Sequence, residues 1–247
     1  MADNILDIMK EYVPQSHCIP IYIVTDNAAN IKAAVKALPR SYVHVPCFAH
    51  TLQLCVNDSI KEFPELLSVA TKGKELTTHF RHSSVATSKL CSMQLQLGLP
   101  KLKLKQECPT RCNSRYYLLE RMVSGKQPLS AVLVDIPNVN NLLSSEWLLA
   151  EIYVKVLAPF EKVTTIMSGA KYPTISLVIP ILNELKHSLS SIAAAAVGEE
   201  NEQGVVRSLC PSLIKNIDSR LHYERTPLYV IATLLDPMYK DCAFIDD

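Results

Sequence analysis

No uninterrupted apolar stretch among the 247 residues is long enough to cross a bilayer, which excludes a helical membrane span. No secretory signal opens the chain either: Met1-Ala2-Asp3-Asn4 is polar and acidic where a signal peptide would be basic and then apolar. The eight cysteines, at 18, 47, 55, 91, 108, 112, 210 and 242, have no C-x-x-C spacing and no disulfide-framework regularity. Without an export signal they read as reduced thiols of an intracellular protein. There is no repeat of fixed period, which argues against a solenoid. Net charge is nearly absent, at +1, and with 48% hydrophobic residues the composition is that of a soluble globular chain of one large domain or two small ones.

The near-neutral total conceals an uneven distribution. Residues 72–126 carry eleven Lys or Arg against Glu75, Glu107 and Glu120, a local net charge of +8, so the remainder is acidic. Such a basic half fits a polyanion-facing surface or, equally, a hydrated helix face. Within it Lys101, Lys103, Lys105, Arg111 and Arg115 are the candidates for phosphate contact, with Tyr116 and Tyr117 as neighbouring stacking partners.

The most informative stretch runs from Ile19 to His50. Ile21 to Val24 is a β-branched, apolar run that stops at the polar turn Thr25-Asp26-Asn27, and an alanine-rich helical pattern follows. A second strand-like piece, Tyr42 to Val45, meets Pro46 and Cys47, after which Thr51 to Ile60 reads as helix. The unit is β-α-β-α, and strands joined through a helix lie parallel. Asp26 then stands at a strand's carboxyl end, where ligands collect in open parallel sheets. An Asp before a helix is also a preferred N-cap, and the residues alone leave both roles open.

Around this unit the pattern is helical. Residues 3–13 have helix-like spacing and end at Pro14; another helix fits Leu66 to His82 after the Phe63-Pro64 break. Lys101 to Lys105 alternates with the period of a strand but is short and charged. A new helix starts after Cys108 to Ser114, with Thr110 or Asn113 as cap. Trp147 to Met167 is helical with a kink or break predicted at Pro159. Pro173 sits in the first turn of a helix running to Leu189 and interrupted or bent at Pro180. Residues 193–203 read as an exposed linker, followed by helices over Val205 to Tyr223 and Leu228 to Tyr239. The division expected is 1–63 as the strand-bearing part and 64–247 as a helical domain.

Three chemistries compete with plain structural roles. A Mg²⁺ site of the two-metal type needs several converging carboxylates, and Asp26 has only Asp58, Asp135, Glu146 and Glu151 as substitutes, each with an ordinary helix or turn explanation. Cys47 at a helix start with His50 suggests a thiolate and base, but no orienting third group is spaced to serve them. Joining Cys47 and His50 to His79 and His82 gives a zinc-like C-x2-H and H-x2-H whose 28-residue gap exceeds finger spacing. The structural alternative has Cys47 buried and His50 hydrogen-bonded beside the strand end.

The blocks TDNAANIKAAVKAL, HVPCFAHTLQLCVNDSI, CPTRCNSRYYLLERM, KYPTISLVIPILNELK and ATLLDPMYK, in this order, resemble the catalytic-domain motifs of hAT-type transposases and their BED zinc-finger relatives. The resemblance implies a partial ribonuclease H-like core, two parallel strands in the β-α-β-α unit, with a large helical insertion. It also implies a DDE triad that binds Mg²⁺ in complete family members. Asp26 matches the triad's second acidic residue, and Cys47 and His50 match a family motif. The triad's first Asp belongs upstream of the TDN block and its Glu beyond the Leu235-Asp236-Pro237 segment, so this chain is expected to hold an incomplete triad, no resident cofactor and no enzymatic activity. Cys112 stands where relatives commonly have tryptophan. The family's BED finger and dimerisation segment are not in these residues. The implied role is weak, sequence-indifferent DNA contact in the nucleus; a helical protein-interaction module and a metal-dependent nuclease are the alternatives, and salt dependence separates DNA contact from an apolar protein interface.

Overall fold

The computed structural model describes residues 2–12, 20–39, 41–108, 113–136, 139–169, 173–196, 201–223, 226–240 and 244. The chain forms two compact units, Met1–Leu54 and Cys55–Asp247. The sequence reading drew its division at 63/64, the Phe63-Pro64 break; Pro64 there is the first residue of a helix, a position that needs no N–H.

In the first unit the order is α1 (Ala2–Tyr12), β1 (Ile21–Thr25), α2 (Ala29–Lys36), β2 (Tyr42–Pro46) and the start of α3 (Phe48–Lys61). The strands are parallel, with Ile21 opposite Tyr42 and Thr25 opposite Pro46, as the helical crossover requires. Because side chains alternate across a strand, Ile21, Ile23, Thr25, Tyr42 and His44 share one face, and Tyr22, Val24, Val43 and Val45 the other. Helix α2 contacts both strands and buries Ala34 and Val35. Tyr22 and Val24 stay 44% and 62% exposed, so one face of β1 is uncovered within the described residues.

The regular elements among the described residues of the second unit are all helices: the end of α3, then α4 (Pro64–His82), α5 (Ser84–Gln96), α6 (Ser114–Ser124), α7 (Lys126–Leu133), α8 (Ser144–Met167), α9 (Val178–Ala194), α10 (Asn201–Arg220) and α11 (Pro227–Leu235). α8 is the axis of this unit, packing against α4, α6, α9 and α10. It buries Trp147, Tyr153, Val156, Leu157 and Phe160 among those neighbours. Its start is set by Glu146, whose Oε2 accepts the Leu143 N–H at 2.9 Å, the returning half of a capping box. Ser83 separates α4 from α5 and caps the latter by accepting the Ala86 N–H at 3.1 Å.

Three local expectations are corrected. Pro159 does not break α8, which continues through it to Met167. The packing on four neighbouring helices offsets the one hydrogen bond that a proline removes. The helix expected from Pro173 is interrupted before Pro180: a 3-10 turn spans Ile175–Leu177, and α9 begins at Val178 with Pro180 in its first turn, a position that tolerates proline. The 193–203 stretch is largely helical where described, α9 reaching Ala194 and α10 starting at Asn201; its residues 197–200 lie outside the described residues.

Candidate functional site

Asp26 lies one residue beyond β1, exposed, and its Oδ1 accepts the Ala28 N–H at 3.2 Å. It closes a turn of the Asx type; the N-cap of α2 is Ala28 itself, without a side-chain bond, so the capping reading of Asp26 is replaced by a turn two residues earlier. The neighbours of Asp26 in the chain bind elsewhere. Thr25 Oγ1 is 2.7 Å from His44 Nε2 and donates to the Asp26 carbonyl at 3.0 Å, so in that arrangement the imidazole Nε2–H is the donor to Thr25. Asn27 Nδ2 donates to Thr51 Oγ1 at 3.0 Å, and Thr51 Oγ1 in turn donates to the Cys47 carbonyl at 2.9 Å.

Cys47 occupies the position before α3. Its N–H donates to the Thr25 carbonyl at 2.7 Å, extending the ladder beyond the end of β2, and its carbonyl accepts the Thr51 N–H at 3.0 Å. The Cys47 side chain is half-buried rather than buried, as is His50. What sequence reasoning missed here is the polar net of Thr25, Asn27, His44 and Thr51, which fixes the carboxyl ends of both strands against the start of α3. The available signal was the run of polar residues flanking Asp26 and following His50. Burial on the sheet, with Lys32 and Lys36 facing it from α2, lowers the pKa of His44 below its ordinary value.

The described residues do not fit a two-metal centre. No three His, Cys, Asp or Glu side chains among them stand close enough to hold a metal ion, and Mg²⁺ requires more than the single carboxylate of Asp26. Three of the four substitute acids are engaged in ion pairs in the second unit. Asp58 pairs with Lys61 at 3.0 Å and with Arg220, Glu146 pairs with Lys72 while capping α8, and Glu151 pairs with Lys126 at 2.8 Å. The carbonyl of Asp135 accepts from Lys89 Nζ at 3.5 Å.

The basic segment divides into cations that the fold uses and cations that face solvent. Arg115 Nε donates to Glu107 at 2.8 Å and lies against buried Tyr153, so it is a structural cation and not the open phosphate contact expected of it. Arg121 donates to the Lys103 carbonyl at 3.2 Å, and Arg81 donates to Gln106. Arg111, with Cys112, lies outside the described residues. Lys101, Lys103 and Lys105 are exposed, on a non-helical strap running from Leu99 to Cys108.

Two-residue alternation turns Leu102 and Leu104 to a small cavity of about 50 Å³ shared with Leu90, Pro128 and Leu129, and the lysines to the opposite side. Among the described residues the strap pairs with no strand; the buried amide of Gln94 does the pairing, donating to the Leu102 carbonyl at 3.0 Å and accepting its N–H at 3.2 Å. Lys105 Nζ lies 4.5 Å from the centroid of the Tyr117 ring, whose hydroxyl donates to Glu161 at 2.5 Å.

Comparison with known proteins agrees with these motifs. The family profile named ZBED1 RNase-like helical domain matches residues 45–156. Human zinc finger BED domain-containing protein 4 is 28% identical over 225 residues, which are 91% of this chain and 18% of that protein. Human zinc finger BED domain-containing protein 6 is 27% identical over 98% of this chain and 25% of its own length. The putative AC transposase of Zea mays is 23% identical over 81% of this chain and 24% of its own. The chain thus spans about a fifth to a quarter of the relatives it matches. The profile match begins just before the Cys47–His50 corner and takes in the helical region after it as far as residue 156, and over most of its length the chain is similar to BED zinc-finger proteins and to hAT-type transposases.

Proposed function

We propose that this chain is part of a transposase-derived nuclear protein. Its β1-α2-β2-α3 unit belongs to a ribonuclease H-like core, its helices form the inserted domain, and it contacts DNA through the phosphate backbone without cutting it. The observation that carries this reading is the strap: three exposed lysines at alternate positions on a segment held by Gln94, while Lys72, Arg115 and Lys126 are committed to ion pairs. Lysines that reach phosphates give affinity without base discrimination, because sequence is read at base edges.

The test is DNA binding followed by fluorescence anisotropy across a salt series. Each phosphate contact adds about 0.9 to the slope of log affinity against log salt, so changing Lys101, Lys103 and Lys105 together to Ser should lower that slope by roughly 2 to 3. Unchanged binding in the triple variant, or binding insensitive to salt, overturns the reading. Strand cleavage with Mg²⁺ or Mn²⁺ should be absent; cleavage abolished by Asp26→Asn in a folded protein would replace DNA contact with nuclease chemistry.

A further inference from the structure

The strap that presents Lys101, Lys103 and Lys105 is tied down along its length. Near its start the Gln94 amide of α5 binds both the N–H and the carbonyl of Leu102. In its middle Arg121 of α6 donates to the Lys103 carbonyl at 3.2 Å. At its end the Cys108 carbonyl accepts the Ser114 hydroxyl at 2.6 Å, and the Glu107 carboxylate accepts Arg115 Nε at 2.8 Å. This last tie reaches deepest. The Glu107 side chain is only 11% exposed, and Arg115 also donates to the hydroxyl of Tyr153, which α8 holds in the core at 2% exposure. A chain of contacts from Tyr153 through Arg115 to Glu107 thus leads from the axis of the helical unit to within two residues of Lys105.

Two effects of Glu107 on a bound phosphate backbone oppose each other. As a carboxylate beside the lysines it subtracts from their positive potential, so Coulomb attraction alone has DNA bind more tightly without it. As an anchor it holds an extended segment, unpaired by any strand among the described residues, in one conformation before DNA arrives. A loose segment would have to lose that freedom on binding. The anchor is the larger effect, because Arg115 at 2.8 Å already neutralises the carboxylate and salt screens what field is left beyond about 8–10 Å.

We propose that Glu107, held through Arg115 by Tyr153, is a positioning residue for the DNA contact: an acid that strengthens the binding of a polyanion by fixing the lysine ladder. This rests on the reading of the strap as a phosphate-contacting surface.

The experiment measures the affinity of the full 247-residue chain for a labelled duplex of arbitrary sequence, by fluorescence anisotropy across a salt series. Glu107→Ala should bind about five- to tenfold more weakly at each salt concentration. Its slope of log affinity against log salt should stay within about 0.9 of wild type, less than the loss of one phosphate contact. Glu107→Gln should bind at least as tightly as wild type, because its amide oxygen still accepts from Arg115 while the negative charge is gone. Tyr153→Phe alters no charge and keeps the packed ring; it should also weaken binding at an unchanged slope, and it decides the matter if Glu107→Ala loses its helical circular dichroism. Glu107→Ala binding as tightly as wild type or tighter, Glu107→Gln as weak as Glu107→Ala, or Tyr153→Phe of unchanged affinity overturns the proposal. The change of Lys101, Lys103 and Lys105 to Ser is run alongside. If that change lowers the slope while Glu107→Ala does not weaken binding, the anchor fails and the DNA contact stands; if it leaves binding unchanged, the DNA reading fails and the anchor with it.

Discussion

Gly73 sits where α4 meets α6: a Cβ there would stand 2.9 Å from Met122 Sδ and 3.0 Å from Leu118 Cδ2, both on side chains at most 1% exposed. No space is left for them to yield into, so Gly73→Val should cost about 2–3 kcal/mol by overpacking and lower the melting temperature. Gly204, in α10, is the control, because a Cβ there meets nothing within 4 Å. Gly204→Ala should stabilise by up to about 1 kcal/mol through helix propensity and lost unfolded-state freedom. Both are read by thermal melts. The sequence reads Gly73 as lying inside a helix and Gly204 as bounding the linker before Val205, but only the neighbouring helix shows which of them has no room for a Cβ. His44 makes a prediction about pH. Its folded-state pKa is lowered by burial and by Lys32 and Lys36, so the unfolded chain binds the proton more readily. The contribution is fully present above the unfolded value near 6.5 and is lost as pH falls below it toward the folded value. Denaturant melts of wild type should weaken over that window more than those of His44→Gln, and identical profiles would reject the assignment.

At the scale of elements, the strap shows how a correct period can lead to the wrong element. Lys101 to Lys105 alternates as a strand would, and the alternation is real, with Leu102 and Leu104 turned inward. It is not a strand because no other extended segment among the described residues pairs with it; the Gln94 amide supplies one rung of the ladder from a helix. Gln94→Ala removes both bonds to Leu102, at about 1 kcal/mol each, and should free the strap more than it unfolds the helices. Limited trypsin digestion should then cut after Lys101, Lys103 or Lys105 at least several-fold faster, with circular dichroism unchanged. Equal cleavage rates would mean that the apolar contacts of Leu102 and Leu104 hold the strap by themselves. The helices were far more legible than this strap, because their apolar residues recur at three and four positions within one segment. Pro159 leaves α8 unbroken and Pro180 falls in the first turn of α9, because a proline's effect depends on its place in the helix and on what packs around it.

For the whole molecule, the two units differ in how they are held. The helical unit closes around α8, whereas the sheet of the first unit has two strands and leaves β1 side chains exposed on one face. Two strands by themselves are marginal. Native-state hydrogen exchange should therefore find Ile21 to Val24 faster than the α8 amides around Val154, and equal protection would reject the difference. Strand, turn and helix order from Ile21 to Ile60, the parallel pairing and the family motifs were determined by the sequence alone, because period and turn chemistry depend on residues a few positions apart. Which acids and cations would be consumed was decided only in three dimensions. Asp58 meets Arg220 across 162 positions and Glu146 meets Lys72 across 74. Arg115 is drawn inward to Glu107 and Tyr153, while Lys101 and Lys103 keep their charges in water. Charge along a chain is a local count, but the partner of a charge is whichever residue the packing brings within reach, and packing is settled by burial of the apolar faces.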